Sequence, residues 1–164
     1  MKKLMPLFVI ILVFAIIAIV FVSMAKQNQP ISIIKGNTEQ KPLPLKLNFT
    51  NDPYCKMIIY KQENSVQVVS ASGNTWFFDD IGCTVLWLQD KDFKNTAKIW
   101  IYDEAMQKWQ NARTATYSNI ADTAMGYGFG IDTKGSLNFD EITLKMLRGE
   151  TLANPKIRKK LLAQ

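Results

Sequence analysis

The feature that most constrains this chain is a long apolar run at its N-terminus. Residues 4–25 include no charged side chain, and most of them are Ile, Val, Leu or Phe. A helix of that length spans roughly 30 Å, which is the thickness of the hydrocarbon core of a bilayer. The run predicts a transmembrane anchor in residues 1–26, and residues 27–164 remain to fold in water.

The competing interpretation of this run is a cleaved secretory signal, because Ser23 and Ala25 are small residues suitably placed for cleavage. Signal peptides usually have shorter apolar cores, of about 7–15 residues, and this favours an uncleaved anchor. Lys2 and Lys3 outweigh Lys26 at the far end, so the positive-inside rule places the N-terminus in the cytoplasm. We therefore expect a protein of the inner membrane whose domain faces the periplasm.

The charge distribution argues against a nucleic-acid partner. The chain has 20 basic and 14 acidic residues, and its net charge is +6. The basic residues are concentrated at the two ends, and acidic residues slightly outnumber them in between. The body therefore lacks the basic face with interleaved aromatic side chains that nucleic-acid binding requires. At the C-terminal end, residues 149–164 predict a basic helix that begins at Pro155.

Short β-branched and aromatic runs, bounded by turn residues, predict an α+β fold. Residues 27–49 are rich in proline and predict a tether with a possible strand at 43–49. We expect the domain itself over residues 50–148, as two related strand-strand-helix-strand units. The expected elements are strands at 57–60, 66–69, 75–78, 98–102, 109–112 and 114–117, helices at 81–89 and 140–147, and a strand or tight loop at 126–130.

The sequence contains no histidine, and this excludes several kinds of site. Ser-His-Asp and Cys-His catalysis, histidine-ligated zinc and haem on a proximal histidine all require one. The two cysteines, Cys55 and Cys83, are too far apart for a Cys-x-x-Cys motif, so thioredoxin-type exchange and a four-cysteine zinc site are excluded as well. Sulfur ligands remain, and thiolates together with thioethers select copper(I).

Cys55 and Met57 are the first candidate ligands, because residues two apart in an extended segment point to the same side. Met125 precedes a glycine-rich segment that allows its backbone to approach a ligand closely. Each residue also has an ordinary interpretation, as half of a disulfide, as a core residue or as a strand residue beside a bulge. Cys83 remains open between a buried apolar residue, a disulfide partner for Cys55 and a further copper ligand.

The adjacent acids Asp79 and Asp80 are a further candidate pair, since paired carboxylates can act as general acid and base. They stand directly before a predicted helix. Acids in that position more often cap the first amides of the helix, so we expect a capping role.

Four stretches, taken in order, resemble the NosL family of nitrous oxide reductase accessory proteins. They are Tyr-Cys-Lys-Met at 54–57, Trp-Phe-Phe-Asp-Asp-Ile-Gly-Cys at 76–83, Ile-Tyr-Asp at 101–103 with Lys-Trp-Gln-Asn-Ala at 108–112, and Thr-Ala-Met-Gly-Tyr-Gly-Phe at 123–129. The similarity covers about residues 50–145. It implies a membrane-tethered, non-enzymatic periplasmic chaperone that delivers copper(I) for assembly of nitrous oxide reductase or a similar copper enzyme. It also implies two related small α+β units, similar to part of organomercurial lyase.

The resemblance implies a ligand set as well. Family members commonly carry Cys-Gly-Met, and here Cys55 and Met57 occupy its ligand positions, with Lys56 in place of the glycine. Met125 falls on the family's Met-Gly-Tyr-Gly element and is carried over as the third copper ligand. The chain departs from the family in having an apolar anchor where many relatives are lipoproteins, and in lacking a histidine that is a candidate ligand there.

The implied partner is a copper-transport protein or a maturation factor of a copper enzyme. An alternative is a periplasmic structural or interaction domain without metal, stapled by a Cys55–Cys83 disulfide. A third interpretation is an enzyme that cleaves a carbon–metal bond, for which Cys55, Cys83 and Asp79 or Asp80 form a loose candidate set.

Overall fold

The computed structural model describes residues 5–27 and 30–163, which fall into two compact units divided at Ile31. The first unit contains helix α1 (Met5–Gln27). Residues 1–4 of the predicted anchor lie outside the described residues. Among those that are described, no helix is long and apolar enough to cross a membrane. The transmembrane anchor and its orientation therefore remain predictions.

The second unit is a mixed α+β structure built on antiparallel sheets. Its strands are β1 (Val66–Val69), β2 (Thr75–Phe78), β3 (Lys98–Asp103), β4 (Lys108–Asn111), β5 (Tyr117–Ser118) and β6 (Gly130–Ile131). Its helices are α2 (Ile81–Leu88), α3 (Phe139–Leu147) and α4 (Pro155–Leu162). In the described residues, the first four strands form one sheet in the order β2-β1-β3-β4, and β5 pairs with β6.

The core lies between the larger sheet and the helices α2 and α3. Strand β1 is at the centre of that sheet, and all of its residues are buried. Val66 and Val68 face Ile81 and Val85 of α2 within one apolar cluster, to which α3 adds Ile142. The short β-branched and aromatic runs form strands because such side chains pack well on a half-buried pleated surface.

Most of the predicted tether belongs to the folded domain, which begins at Ile31 instead of residue 50. The Ile31 amide donates a hydrogen bond to the Phe49 carbonyl (2.7 Å). The buried Gln67 side chain of β1 accepts from the Leu43 amide (2.8 Å) and donates to the Leu43 carbonyl (2.7 Å). A buried amide side chain requires such partners, so residues 31–49 are held against the sheet as irregular chain and the strand expected at 43–49 is not formed.

The first predicted strand-strand-helix-strand unit is present as β1, β2, α2 and β3. The second half of the domain has a different order, because β5 and β6 precede α3 and no strand follows α3 in the residues that the structure describes. Of the strand expected at 57–60, only an isolated bridge between Asn51 and Ile58 is formed. Of the strand expected at 114–117, only Tyr117 pairs, since residues 112–114 form a turn.

The helices predicted from the sequence are confirmed within a residue. Helix α3 begins after Asn138, whose side chain accepts from the Glu141 amide while Glu141 reaches back to the Asn138 amide. It ends at Leu147, and Gly149, just past the Arg148 cap, has a φ of +68°, the left-handed conformation that terminates helices. Helix α4 has the predicted bounds and contributes no buried side chain.

Candidate metal centre

The first part of the site is a tight loop, residues 52–57, organised by Asp52. The Asp52 amide donates to the Met57 carbonyl (2.9 Å), and the Lys56 amide donates to the Asp52 carbonyl (3.0 Å). The side-chain Oδ1 of Asp52 accepts from the amides of Tyr54 (2.6 Å) and Cys55 (3.1 Å). Aspartate commonly fixes turns in this way. The loop holds Cys55 half buried.

The loop is not an extended segment, so the reason for expecting Cys55 and Met57 on one face does not hold. Lys56 between them has φ +67°, in the left-handed region that side chains other than glycine rarely adopt. The two residues are nevertheless adjacent, because the Met57 amide lies near the Cys55 sulfur. The Met57 side chain is 42% exposed beside it.

The second part of the site is the junction between β2 and α2. Asp80 caps the helix, since its Oδ1 accepts from the Gly82 amide at 2.7 Å, and this confirms the expected capping role for that acid. Cys83 lies in the first turn of α2 and is fully buried. The unpaired amides at a helix start favour negative charge, so this position suits a thiolate once a cation is present.

Asp52 joins the loop to the junction. Its Oδ2 accepts from the Asp79 amide (3.2 Å), and the Cys55 sulfur lies 3.7 and 3.8 Å from the two carboxylate oxygens of Asp79. The ligand atoms of Asp52, Cys55, Asp79 and Cys83 all lie within 4.8 Å of one another. Both cysteines are free thiols. Residues far apart in the sequence thus form one cluster of two sulfur and two carboxylate donors.

Burial dominates the electrostatics of the cluster. It raises the pKa of the Cys55 thiol to about 11, and the charges of Asp52 and Asp79 add to the effect. Burial likewise raises the pKa of Cys83. The pKa of Asp79 is raised to about 7, first by burial and then by the neighbouring Asp52 carboxylate. Without a cation the thiols therefore keep their protons at neutral pH, and a bound cation displaces them.

A third segment, around Met125, packs beside the cluster. The Met125 amide donates to Oδ2 of Asp80 (3.2 Å), and the Met125 side chain is partly buried against the core. The ring of Tyr127 lies directly on Gly82, where any Cβ would overlap it. Glycine at 82 thus lets an aromatic ring cover the start of α2, next to Cys83. Burial and the nearby acidic groups, Cys83 first among them, raise the pKa of Tyr127 to about 12.

The sequence-predicted ligands are distributed over these three segments. Cys55 is a member of the cluster, and Met57 is adjacent to Cys55. The backbone amide of Met125 donates a hydrogen bond to Asp80, the cap of α2. The structure adds Cys83, for which the sequence leaves three roles open, and Asp79, for which the sequence favours a capping role and which is otherwise a candidate only in the enzyme interpretation. Sequence reasoning missed Asp52, although Asp-Pro three residues before a cysteine is a turn signal that could have indicated it.

The donor set fits a thiophilic metal ion. Metal–sulfur bonds of about 2.3 Å place two sulfur atoms about 3.8 Å apart around a tetrahedral ion. The donor atoms here lie within 4.8 Å of one another, which is compatible with that separation. The loop that holds Cys55 is the part able to adjust on binding, because Cys83 is packed within a helix in the core.

Comparison of the chain with models of known families, with curated proteins and with solved structures finds no match. The class of protein is therefore defined by the fold and the site alone. It is a small mixed α+β domain with a cysteine–aspartate cluster of the kind that can bind a metal ion.

Proposed function

We propose that this chain is a copper(I)-binding protein that holds the ion between Cys55 and Cys83 and transfers it to a partner. The observation that carries the proposal is the convergence of the two thiols with Asp52 and Asp79 within 4.8 Å. Structural cysteines have no need of two carboxylates beside them, because these raise the cost of burial. A cation at the centre offsets that cost.

Copper(I) is favoured by the sulfur content of the site. Thiolates and thioethers select this ion, and it does not require the imidazole that the chain lacks. Cys55 and Cys83 supply the thiolates, and the partly exposed Met57 is the adjacent thioether. Met125 is retained as a further candidate, on the resemblance to the NosL family described above.

Transfer, as opposed to catalysis, fits the uneven exposure of the ligands. Cys83 is fully buried, whereas Cys55 is half buried and Met57 is 42% exposed. An incoming ligand can therefore attack from one side while Cys83 still holds the ion. The resemblance supports the wider proposal of a membrane-tethered periplasmic chaperone, with a copper-transport or copper-enzyme maturation protein as its partner and nitrous oxide reductase or a similar enzyme as its destination.

A second candidate is a divalent ion such as zinc(II), and the specific observation in its favour is the pair of carboxylates. Zinc accepts both cysteine sulfur and aspartate oxygen in tetrahedral sites. Its second charge also offsets more of the negative charge of Asp52 and Asp79. The two ions differ in what they require, because copper(I) depends on sulfur alone and zinc(II) depends on the carboxylates too.

The test is a titration of the reduced full-length chain in detergent with copper(I) or zinc(II) against competing chelators. We expect one tightly bound copper(I), with an affinity at least about 100-fold lower in Cys55→Ser and in Cys83→Ser, because each loses a soft ligand. Met106→Leu is the matched control, since Met106 is exposed and outside the cluster.

Stoichiometric copper binding that persists in both serine variants would contradict the copper assignment. Tight zinc binding that is lost in Asp79→Asn would favour the second candidate. The alternative of a structural domain cross-linked by a Cys55–Cys83 disulfide predicts that the protein isolated from the periplasm has no free thiol in a thiol titration. Turnover of an organomercurial by the reduced protein would move the assignment to the enzyme interpretation.

A further inference from the structure

A cleft of about 660 Å³ opens beside the metal centre, and Asp79 of the cluster and the exposed Met57 both contribute to its wall. Because Cys83 is fully buried, the ion is not accessible from the side of α2. The cleft is therefore on the side from which another molecule can reach the ligands. Its volume is in the range of sites that hold several side chains or a small ligand.

The mouth of this cleft is acidic. Glu63, Asp122 and Asp132 line it together with Asp79, against the single basic side chain of Lys61. Glu63, Asp122 and Asp132 are exposed, and none of them forms a salt bridge within the described residues. Ile58 and Ile131 make the wall between these charges partly apolar. Exposed carboxylates that form no salt bridge, around a concave and partly apolar surface, attract a positively charged partner.

We propose that this acidic cleft docks a polypeptide segment that carries lysine or arginine side chains and presents a sulfur ligand to the metal centre. This inference rests on the proposed copper function, because it names the partner's chemistry at the same site. The basic side chains meet Glu63, Asp122 and Asp132, and the sulfur ligand enters past Met57. The charges orient the segment, and the exchange itself occurs between sulfur ligands.

The proposal assigns the acids to partner docking, and a different role would be attraction of the metal ion itself. The two roles differ in what they depend on. Docking depends on the charge of the polypeptide that carries the ligands. Ion attraction depends only on the charge of the copper species, whatever molecule delivers it. Both weaken with salt, so ionic strength by itself does not separate them.

The experiment measures copper(I) removal from the loaded full-length chain by two synthetic peptides with the same Cys-x-Met ligands. One peptide is flanked by lysines and the other by glutamates. We expect removal by the lysine peptide to be at least about tenfold faster at low ionic strength, with the difference shrinking at high salt. In Glu63→Lys/Asp122→Lys the preference falls to about twofold or less, while copper affinity against a neutral chelator stays unchanged.

Asp92→Lys is the matched control, because Asp92 is exposed and outside the cleft, and it should keep the wild-type preference. Equal rates for the two peptides would overturn the proposal. So would a charge-reversed variant whose loading from a cationic copper(I) complex without a peptide slows, relative to wild type, by the same factor as its exchange with the lysine peptide, because the acids would then act on the ion. Binding of the lysine peptide to the metal-free chain is measured separately, so failure to dock and failure to bind copper are distinct results.

Discussion

The two cysteines of the candidate metal centre are held by very different kinds of structure. Cys83 is in the first turn of a capped helix, in the middle of the apolar core. Cys55 is on a short loop whose shape depends on one carboxylate, Asp52, and on a left-handed Lys56. The helix supplies a fixed ligand and the loop supplies an adjustable one.

This difference suits a protein that must both hold and release an ion. A buried ligand on a rigid element keeps the ion in place, and a loop ligand near the surface can move to admit a competitor. The loop also carries Met57, which faces the acidic cleft. The division therefore predicts that changes in the loop affect transfer and reactivity first, whereas changes in the helix affect the fold.

Removal of the Asp52 side chain should have the largest effect on stability. The fully buried Asp52 carboxylate is the acceptor for the amides of Tyr54, Cys55 and Asp79, and Asp52→Ala removes it. We expect a loss of about 3 kcal/mol in the free energy of unfolding by urea. Cys55 should then react faster with a thiol reagent while Cys83 stays slow. Asp92→Ala, at an exposed acid, should stay within about 0.5 kcal/mol of wild type.

Asp52→Asn separates the two attachments that Asp52 makes. The amide oxygen can still accept from Tyr54 and Cys55, but the amide nitrogen cannot accept from Asp79. The loss should be about half that of Asp52→Ala. Cys55 and Cys83 could instead react with the thiol reagent at equally increased rates in these variants. That result would contradict the division of the site into a fixed half, helix α2 with Cys83, and an adjustable half, the loop 52–57 with Cys55.

Metal affinity should rise with pH. The thiols of Cys55 and Cys83 should both contribute to the change in affinity per pH unit. The pKa of Cys55 is raised to about 11 and that of Cys83 is also raised, so in the metal-free chain both thiols are protonated between about pH 8 and 9.5, where Asp79, with a pKa of about 7, is already ionised. Binding as thiolates releases two protons, and affinity then increases by about 100-fold per pH unit. Lowering the pH has the opposite effect, because protons compete with the ion.

The measurement is chelator competition at several pH values in that range, with wild type and the two serine variants. Cys55→Ser and Cys83→Ser should each reduce the slope to about tenfold per pH unit, since one thiol proton is left to release. An unchanged slope in Cys83→Ser would mean that the buried thiol does not bind the ion. The fixed half of the site would then be structural only.

The fixed half could be predicted from the sequence and the adjustable half could not. Strand β2, the Asp80 cap and helix α2 follow from local patterns, namely an aromatic run, adjacent acids and a run of apolar residues. Local signals specify such elements because most of the determining contacts are within a few residues of one another. The sequence therefore predicts Cys83 on the correct helix, although it leaves the role of that residue open.

The conformation of the loop 52–57 could not be predicted, because it depends on contacts that no local sequence pattern shows. Residues 57–60 have the composition of a strand, but after the tight turn formed by Asp52 and the left-handed Lys56 only Ile58 pairs, in an isolated bridge with Asn51. The attachment of residues 31–49 to Gln67 is likewise a contact between distant parts of the chain. Sequence periodicity does not show that the buried Gln67 side chain requires hydrogen-bond partners. The sequence therefore predicts a tether for residues 31–49.

The smallest expected effect concerns the strain at Lys56. A left-handed conformation costs a side chain of this kind about 1–2 kcal/mol, and glycine avoids that cost. Glycine also gives the unfolded chain more freedom, which offsets about 0.5–1 kcal/mol. We expect Lys56→Gly to raise the free energy of unfolding by about 0.5–1 kcal/mol. Lys56→Ala is the control, because it removes the ammonium group and its contact with the Pro53 carbonyl but keeps the strain.

The two variants together decide whether the adjustable half is strained. Greater stability in Lys56→Gly than in Lys56→Ala, measured by urea unfolding, assigns the gain to the backbone and not to the lost charge. If relief of strain also makes the loop more mobile, copper transfer to the lysine peptide should become faster while copper affinity changes little. Equal stability of the two variants would show that the loop tolerates its left-handed residue without cost.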